Sequence, residues 1–156
     1  MIKGLLITLL VITGAGPLRD EYKNAADKNI SAVLGAGQLK ELDSADGKEY
    51  FLFESENAGS GSIVVFSSAK GRYDNFDYMI ILKPDLGIMN IKILKYRSEY
   101  GYEISNKGWL KQFYNKPVAK FDYRKDIDAL SGATYSAPSL VEDVNLILKH
   151  LKKTSS

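Results

Sequence analysis

The chain has no cysteine and one histidine, His150, among its 156 residues. Without thiols it has no disulfide framework, no cysteine nucleophile, no thiolate zinc site and no lipid anchor through an N-terminal cysteine. One imidazole cannot make a His-rich metal site, and it is the sole candidate base for Ser-His catalysis. Charge of one sign is also lacking, because 21 Lys and Arg stand against 19 Asp and Glu, a formal balance of +2. That balance raises no field that would draw nucleic acid, and no nucleic-acid partner is expected. There is no internal repeat, no low-complexity tract and no Pro/Ser-rich linker. What the chain does have is flat apolar surface: ten Tyr, six Phe and one Trp. Its length suits one domain that can bury its own core.

The first residues read as an address. Residues 1–16, MIKGLLITLLVITGAG, place Lys3 before an apolar run from Gly4 to Ile12, with small residues at Thr13 to Gly16. This is the build of a short secretory signal peptide, with Thr13 and Ala15 set for a small-x-small cleavage site. The run is well short of the ~20 residues of a spanning helix. The other reading is a buried strand or first helix of the domain. A signal peptide implies export to the periplasm or cell surface, with membrane association left open, and a single domain over residues 17–156.

Within that domain, Asp20 to Leu42 suggests a helix stopped by Gly35 and Gly37. Glu49 to Glu54 and Ser62 to Phe66 are β-branched and aromatic runs split by Asn57-Ala58-Gly59-Ser60-Gly61, a turn signal. Phe76 to Lys83 and Ile88 to Tyr96 follow, joined by Pro84 to Gly87 as a hairpin connection. Four strands with few crossovers point to an antiparallel sheet and an α+β class. Ser105 to Tyr114 carries Trp109, Leu110 and Phe113 on one helical face and is ended by Pro117. A C-terminal helix takes Ser136 as N-cap and Pro138 in its first turn, with Leu140, Val144, Ile147, Leu148 and Leu151 as its apolar stripe. Lys149, His150, Lys152 and Lys153 crowd its last turns, where cations suit the dipole. His150 is thereby accounted for as a solvated helix end.

Asp128 to Ser136, DALSGATYS, is where chemistry concentrates. It is a small-residue loop with three hydroxyls, Ser131, Thr134 and Ser136, at the mouth of a helix N-terminus. Open backbone N–H groups and the positive dipole end favour an anion there, phosphate above all, and Gly132 and Ala133 let it approach the backbone. The bland alternative is a loop of ordinary turn and capping residues. A P-loop is excluded because the Gly-Lys-Ser/Thr ending is missing. Serine hydrolysis is disfavoured because His150 lies roughly 20 Å along the next helix at 1.5 Å per residue.

Asp128-Ala129-Leu130-Ser131-Gly132-Ala133-Thr134 resembles the flavinylation motif Asp-x-x-(Ser/Thr)-Gly-Ala-Thr of the FMN-binding domain family. That family includes the extracytoplasmic flavin subunits of the sodium-translocating NADH:quinone reductase and of the Rnf complex. Phe76 to Ile104 is similar to the family's strand-turn-strand with its acidic-and-glycine segment. Gly108 to Phe113, GWLKQF, is similar to its short Trp/Phe helix. The resemblance covers roughly Phe76 to Leu151, about half the chain. Where the membrane-complex subunits carry an acid followed by Thr-Pro-Gly, this chain has Glu99-Tyr100-Gly101-Tyr102, so the acid and glycine are present and Thr-Pro is absent.

The resemblance implies FMN joined by a phosphoester to the Thr134 hydroxyl, a flavin transferase that makes the bond, and a membrane or periplasmic redox partner. The expected cofactor site is Thr134 with Ser131, Gly132, Ala133, Asp128, Tyr135 and Ser136, together with Glu99, Tyr100, Gly101 and Trp109. Ser136 and the amides after Gly132 are expected to hold the phosphate, and Asp128 to brace the loop by hydrogen bonds to backbone N–H groups or to aid the transferase. Trp109, Phe113, Tyr100, Tyr102 and Tyr135 are candidates to stack on the ring, with core packing the alternative for each. Glu99 is a candidate to hydrogen-bond the ring, or else a solvated acid. The expected function is an exported electron carrier rather than a stand-alone enzyme. A module that binds FMN or another phosphorylated ligand reversibly is the rival, and a secreted structural domain the third option.

Overall fold

The computed structural model describes residues 17–116 and 119–155. The apolar segment 1–16 and Pro117, the expected helix stop, lie outside the described residues. Five strands form one antiparallel sheet in the order β1-β2-β3-β4-β5: β1 (Gln38–Glu41), β2 (Glu49–Glu54), β3 (Ile63–Lys70), β4 (Asn75–Leu82) and β5 (Ile88–Lys95). Every neighbour in the sheet is also a neighbour in sequence, so the α+β class read from the strand pattern holds. Two short helices precede it, α1 (Pro17–Glu21) and α2 (Lys23–Leu34). A one-turn helix, α3 (Lys107–Leu110), follows the sheet, and a long one, α4 (Ser136–Thr154), ends the chain. Among the described residues no helix is long and apolar enough to cross a membrane.

The central strands β3 and β4 are buried at nearly every position because both faces of the sheet are covered. Side chains alternate along β4. Tyr78, Ile80 and Leu82 enter the core under α4, while Met79 and Ile81 enter a second core under α2. The predicted α4 stripe, Leu140, Val144, Ile147, Leu148 and Leu151, is buried throughout. Ala26, Ile30 and Leu34 of α2 cover Phe51, Phe53, Val64 and Phe66 on the opposite face. His150 is not a solvated helix end. Its ring lies 4.6 Å from that of Tyr50, so it closes the edge of the α4 core.

Three elements differ from the expected pattern. The helix expected within Asp20 to Leu42 stops where expected, at Leu34 with Gly35 as its C-cap, but Gln38–Glu41 beyond it turns back as edge strand β1, paired with Phe51 to Glu54. The helix over Ser105 to Tyr114 is broken into a 3-10 turn (Tyr102–Ser105), the one-turn α3 and a second 3-10 turn (Lys111–Phe113). Asn106 causes the break. Its backbone is extended, and its side chain accepts the Trp109 N–H at 2.9 Å, capping a new helix inside the expected one. Ser136 is the first helical residue rather than the N-cap. Tyr135 holds the cap position and offers no side-chain bond.

One buried carboxylate pins each face of the sheet. Asp143 of α4 takes Lys48 Nζ at 2.9 Å, Ser67 Oγ–H at 2.6 Å and Tyr78 O–H at 2.5 Å. Burial, and then the Asp143 charge, push the Tyr78 phenol well above its ordinary value, so it remains a donor. On the other face, Asp77 accepts from Arg97 Nη2 and the Tyr22 hydroxyl, both at 2.6 Å, and from Ser68. Burial alone would raise this carboxyl. The hydrogen bonds from Arg97, Ser68 and Tyr22 outweigh it and hold Asp77 below its ordinary value of 3.8.

Asp143→Ala leaves Lys48 buried without its partner and is expected to cost about 3–5 kcal/mol of stability, read from denaturant melts; a loss below about 1 kcal/mol would mean the cluster relaxes freely. Asp77 has a lowered folded-state pKa, so its contribution is complete above 3.8 and is lost as pH falls through the lower folded value. The stability gap between the wild type and Asp77→Asn is therefore expected to shrink on acidification below about pH 4, a window readable by urea melts. A gap independent of pH would contradict the assignment.

Candidate functional site

The loop from Asp128 to Tyr135 is held by its backbone. Trp109 Nε1–H donates to the Asp128 carbonyl at 2.8 Å, and the Asp128 N–H donates to Gln112 Oε1 at 2.9 Å. Gln112 is itself steadied by the Trp109 carbonyl at 3.2 Å. The Asp128 carboxylate makes no hydrogen bond among the described residues, so the expected side-chain brace is replaced by a backbone one. Leu130 leans on the core and Ala133 is buried, and between and beyond them Ser131, Gly132, Thr134 and Tyr135 face outward. This in-and-out alternation presents the Thr134 hydroxyl to solvent with no protein partner among the described residues.

A second segment straps the loop. β5 leads through Tyr96 to Tyr100 and Gly101, which has φ 91° and opens the 3-10 turn. The Tyr96 hydroxyl donates to the Tyr100 carbonyl at 2.7 Å and lies 2.5 Å from Ser136 Oγ. A phenol has one proton, so Ser136 donates in the second bond. The Ser136 side chain, in a residue 1% exposed, is thus spent on Tyr96 and not free for a ligand. Strap and loop approach each other through glycines. A Cβ on Gly101 would collide with the Tyr96 hydroxyl and Ser136 Oγ, and one on Gly132, at φ 85°, would meet the Glu103 carboxylate.

Between them lies a cleft of about 300 Å³, walled by Tyr100 and Gly101 on one side and by Gly132 to Ser136 on the other, with Arg72 of the β3–β4 turn completing it. No acidic residue lines it among the described residues. The backbone N–H groups of Thr134, Tyr135 and Ser136 find no protein acceptor among the described residues. They open at the start of α4, where the dipole is positive. The chemistry on offer is therefore anion binding next to an exposed hydroxyl.

The expected site residues divide in three. Gly132, Ala133, Thr134, Tyr135, Ser136, Tyr100 and Gly101, drawn from two segments distant in sequence, line one cleft. Ser131 and Asp128 belong to the loop but not to its lining, and Glu99 lies outside it. Trp109 and Phe113 are buried, their rings 5.6 Å apart, and act as the floor of the loop rather than as stacking faces. Tyr100, Tyr102 and Tyr135 are exposed at 58%, 64% and 57%, and Tyr73 joins them at 65%. Tyr100 and Tyr135 line the cleft, Tyr73 stands 6.0 Å from the Tyr100 ring, and Tyr102 stands 6.2 Å from that of Tyr96. Arg72, Tyr73, Tyr96 and Glu103 were not found from sequence. Among the described residues no group of three or more acidic or imidazole side chains is placed to hold a metal ion. A scan against protein-family models and a search of curated proteins return no match for the chain.

Gly101→Ala and Gly132→Ala both force a side chain into positive φ, at roughly 1–3 kcal/mol each. Gly101→Ala must also separate Tyr96 from Ser136, whereas in Gly132→Ala the flexible Glu103 side chain can swing away. The Gly101 variant is expected to have the lower thermal midpoint, and the reverse order would contradict the strap geometry. Trp109→Phe keeps the packing and loses the bond to Asp128; it is expected to cost about 1 kcal/mol. Hydrogen exchange should rise in residues 128–135, and unchanged exchange there would count against the brace.

Proposed function

We propose that the chain is an exported single-domain flavoprotein that carries electrons on FMN joined through its phosphate to Thr134 Oγ. The observation that carries this reading is the place of Thr134. The last residue of Asp128-Ala129-Leu130-Ser131-Gly132-Ala133-Thr134 is exposed, without a partner among the described residues, at a cleft with open N–H donors. A phosphate there is held by the amides of Thr134, Tyr135 and Ser136, while Trp109 and Gln112 keep the loop from moving away. The Ser136 hydroxyl contributes indirectly, by tying the helix start to the strap.

Bound in this cleft, the flavin supplies the redox chemistry, and the protein supplies attachment, orientation and electrostatics. Tyr100 and Tyr135, both exposed, line opposite walls of the cleft and are the aromatic side chains placed to meet a flat ring system there. No imidazole or carboxylate among the described residues lines the cleft as an acid-base catalyst, which favours a carrier over an enzyme that turns over its own substrate. The proposed partners are a flavin transferase and a membrane or periplasmic redox protein. The proposed location, beyond the cytoplasmic membrane, rests on the signal-like residues 1–16.

Covalent and reversible binding part company on denaturation. Co-expressed with a flavin transferase and run on a denaturing gel, the wild type is expected to fluoresce and Thr134→Ala to be dark, both with the same circular dichroism. Flavin that survives denaturation in Thr134→Ala would overturn the attachment site. Colour in the native wild type that is lost on denaturation would favour the reversible module.

A further inference from the structure

We propose that Arg72 makes this cleft selective for a phosphorylated flavin over the same ring system without phosphate. The inference rests on the flavin reading but not on the covalent bond. Arg72 lies in the turn between β3 and β4, far in sequence from the loop that carries Thr134. The turn is fastened to the first turns of α4 at two points. The Lys70 N–H donates to Ser139 Oγ at 3.0 Å, and Gly71 sits beside Ser136 Oγ and the Tyr96 hydroxyl. The Gly71 N–H also closes the turn onto the Asp74 carbonyl at 2.9 Å. The element that presents Thr134 therefore also places Arg72.

The side chain is positioned as well as placed. Arg72 is exposed, and its guanidinium lies 5.3 Å from the ring centre of Tyr73 and 5.4 Å from that of Tyr135, two cation–π contacts that favour its place beside the cleft. It pairs with no carboxylate among the described residues. Of the neighbouring acids, Asp74 stands two residues on in the same turn and Glu103 packs its carboxylate on Gly132; neither forms an ion pair with Arg72. A planar cation without an ion pair, at a cleft whose lining holds no acid among the described residues, is suited to an anionic guest. Its paired N–H donors match the spacing of two phosphate oxygens, and it is always charged. Riboflavin carries the same ring and ribityl chain without the charged phosphate oxygens. Discrimination is then expected at the phosphate, while the tyrosines meet the same ring in both flavins.

The test uses the full chain with Thr134→Ala, which cannot form the covalent bond and so reads reversible binding. Riboflavin 5′-phosphate and riboflavin are titrated separately by flavin fluorescence, with Arg72 intact, Arg72→Ala or Arg72→Lys. With Arg72 intact, the phosphorylated flavin is expected to bind roughly tenfold or more tighter. Arg72→Ala should weaken it by about ten- to a hundredfold and leave riboflavin unchanged. Arg72→Lys, which keeps the charge and loses the fork, should fall between. Added salt should weaken the phosphorylated flavin less in Arg72→Ala. An unchanged preference in Arg72→Ala, an equal loss for both flavins, or no preference with Arg72 intact would each overturn the proposal.

Intact mass of the wild type after co-expression with a transferase separates this from the covalent reading. An unmodified wild type with an Arg72-dependent preference would remove the attachment and keep the selector. A flavinylated wild type whose Thr134→Ala form shows no Arg72-dependent preference would do the opposite.

Discussion

The 2.5 Å hydrogen bond between Ser136 Oγ and the Tyr96 hydroxyl holds together parts of the molecule that otherwise have little reason to meet. Tyr96 stands just beyond β5, Ser136 starts α4, and the Tyr96 hydroxyl donates to the Tyr100 carbonyl at 2.7 Å. Gly101 comes close to this pair of hydroxyls because it has no side chain to keep it away, and Gly71 lies within van der Waals reach of both. Three chain segments thereby converge on one buried serine. The cleft is the space left outside that junction, and its composition follows from it: a turn with an arginine, a strap with a tyrosine and glycine, and a helix start with open N–H groups.

Such a junction requires a rigid base. Asp143 ties α4 to β3 and β4 through Ser67, Tyr78 and Lys48, so the helix cannot slide along the sheet without baring a charge. Asp77 does the same work on the opposite face, where Arg97 and Tyr22 anchor the segment after β5 and the α1–α2 junction. Apolar packing of the two cores is non-directional, and these two carboxylates supply the register. The site sits at one end of this frame, with exposed tyrosines around it and the buried Trp109–Phe113 pair beneath its loop.

Much of this was legible along the chain. The β-branched and aromatic runs give β2 to β5, and the period of Leu140, Val144, Ile147, Leu148 and Leu151 gives α4. β1 was not legible, because Gln-Leu-Lys-Glu buries Leu39 and otherwise has no apolar alternation; it is a strand through pairing with β2. The broken helix at Tyr102 to Phe113 turned on Asn106 acting as a cap, a choice that local propensity leaves open. In the site, the loop residues were legible because they are contiguous. Tyr100 and Gly101 came through the resemblance, while Arg72 is set beside them by sheet register and two contacts to α4. Trp109 reads in sequence as a candidate stacking face. It is buried because its indole N–H finds the Asp128 carbonyl, which no spacing rule encodes. Ser136, expected to hold phosphate with its hydroxyl, spends that hydroxyl on Tyr96.

The central claim is that Thr134 carries a flavin through a phosphoester. Its most direct test is the intact mass of the wild-type chain after co-expression with a flavin transferase and export, followed by peptide mapping. The account predicts an added mass of one FMN less one water, confined to the peptide that contains Thr134. An unmodified mass, or an adduct mapped to any other residue, would contradict it.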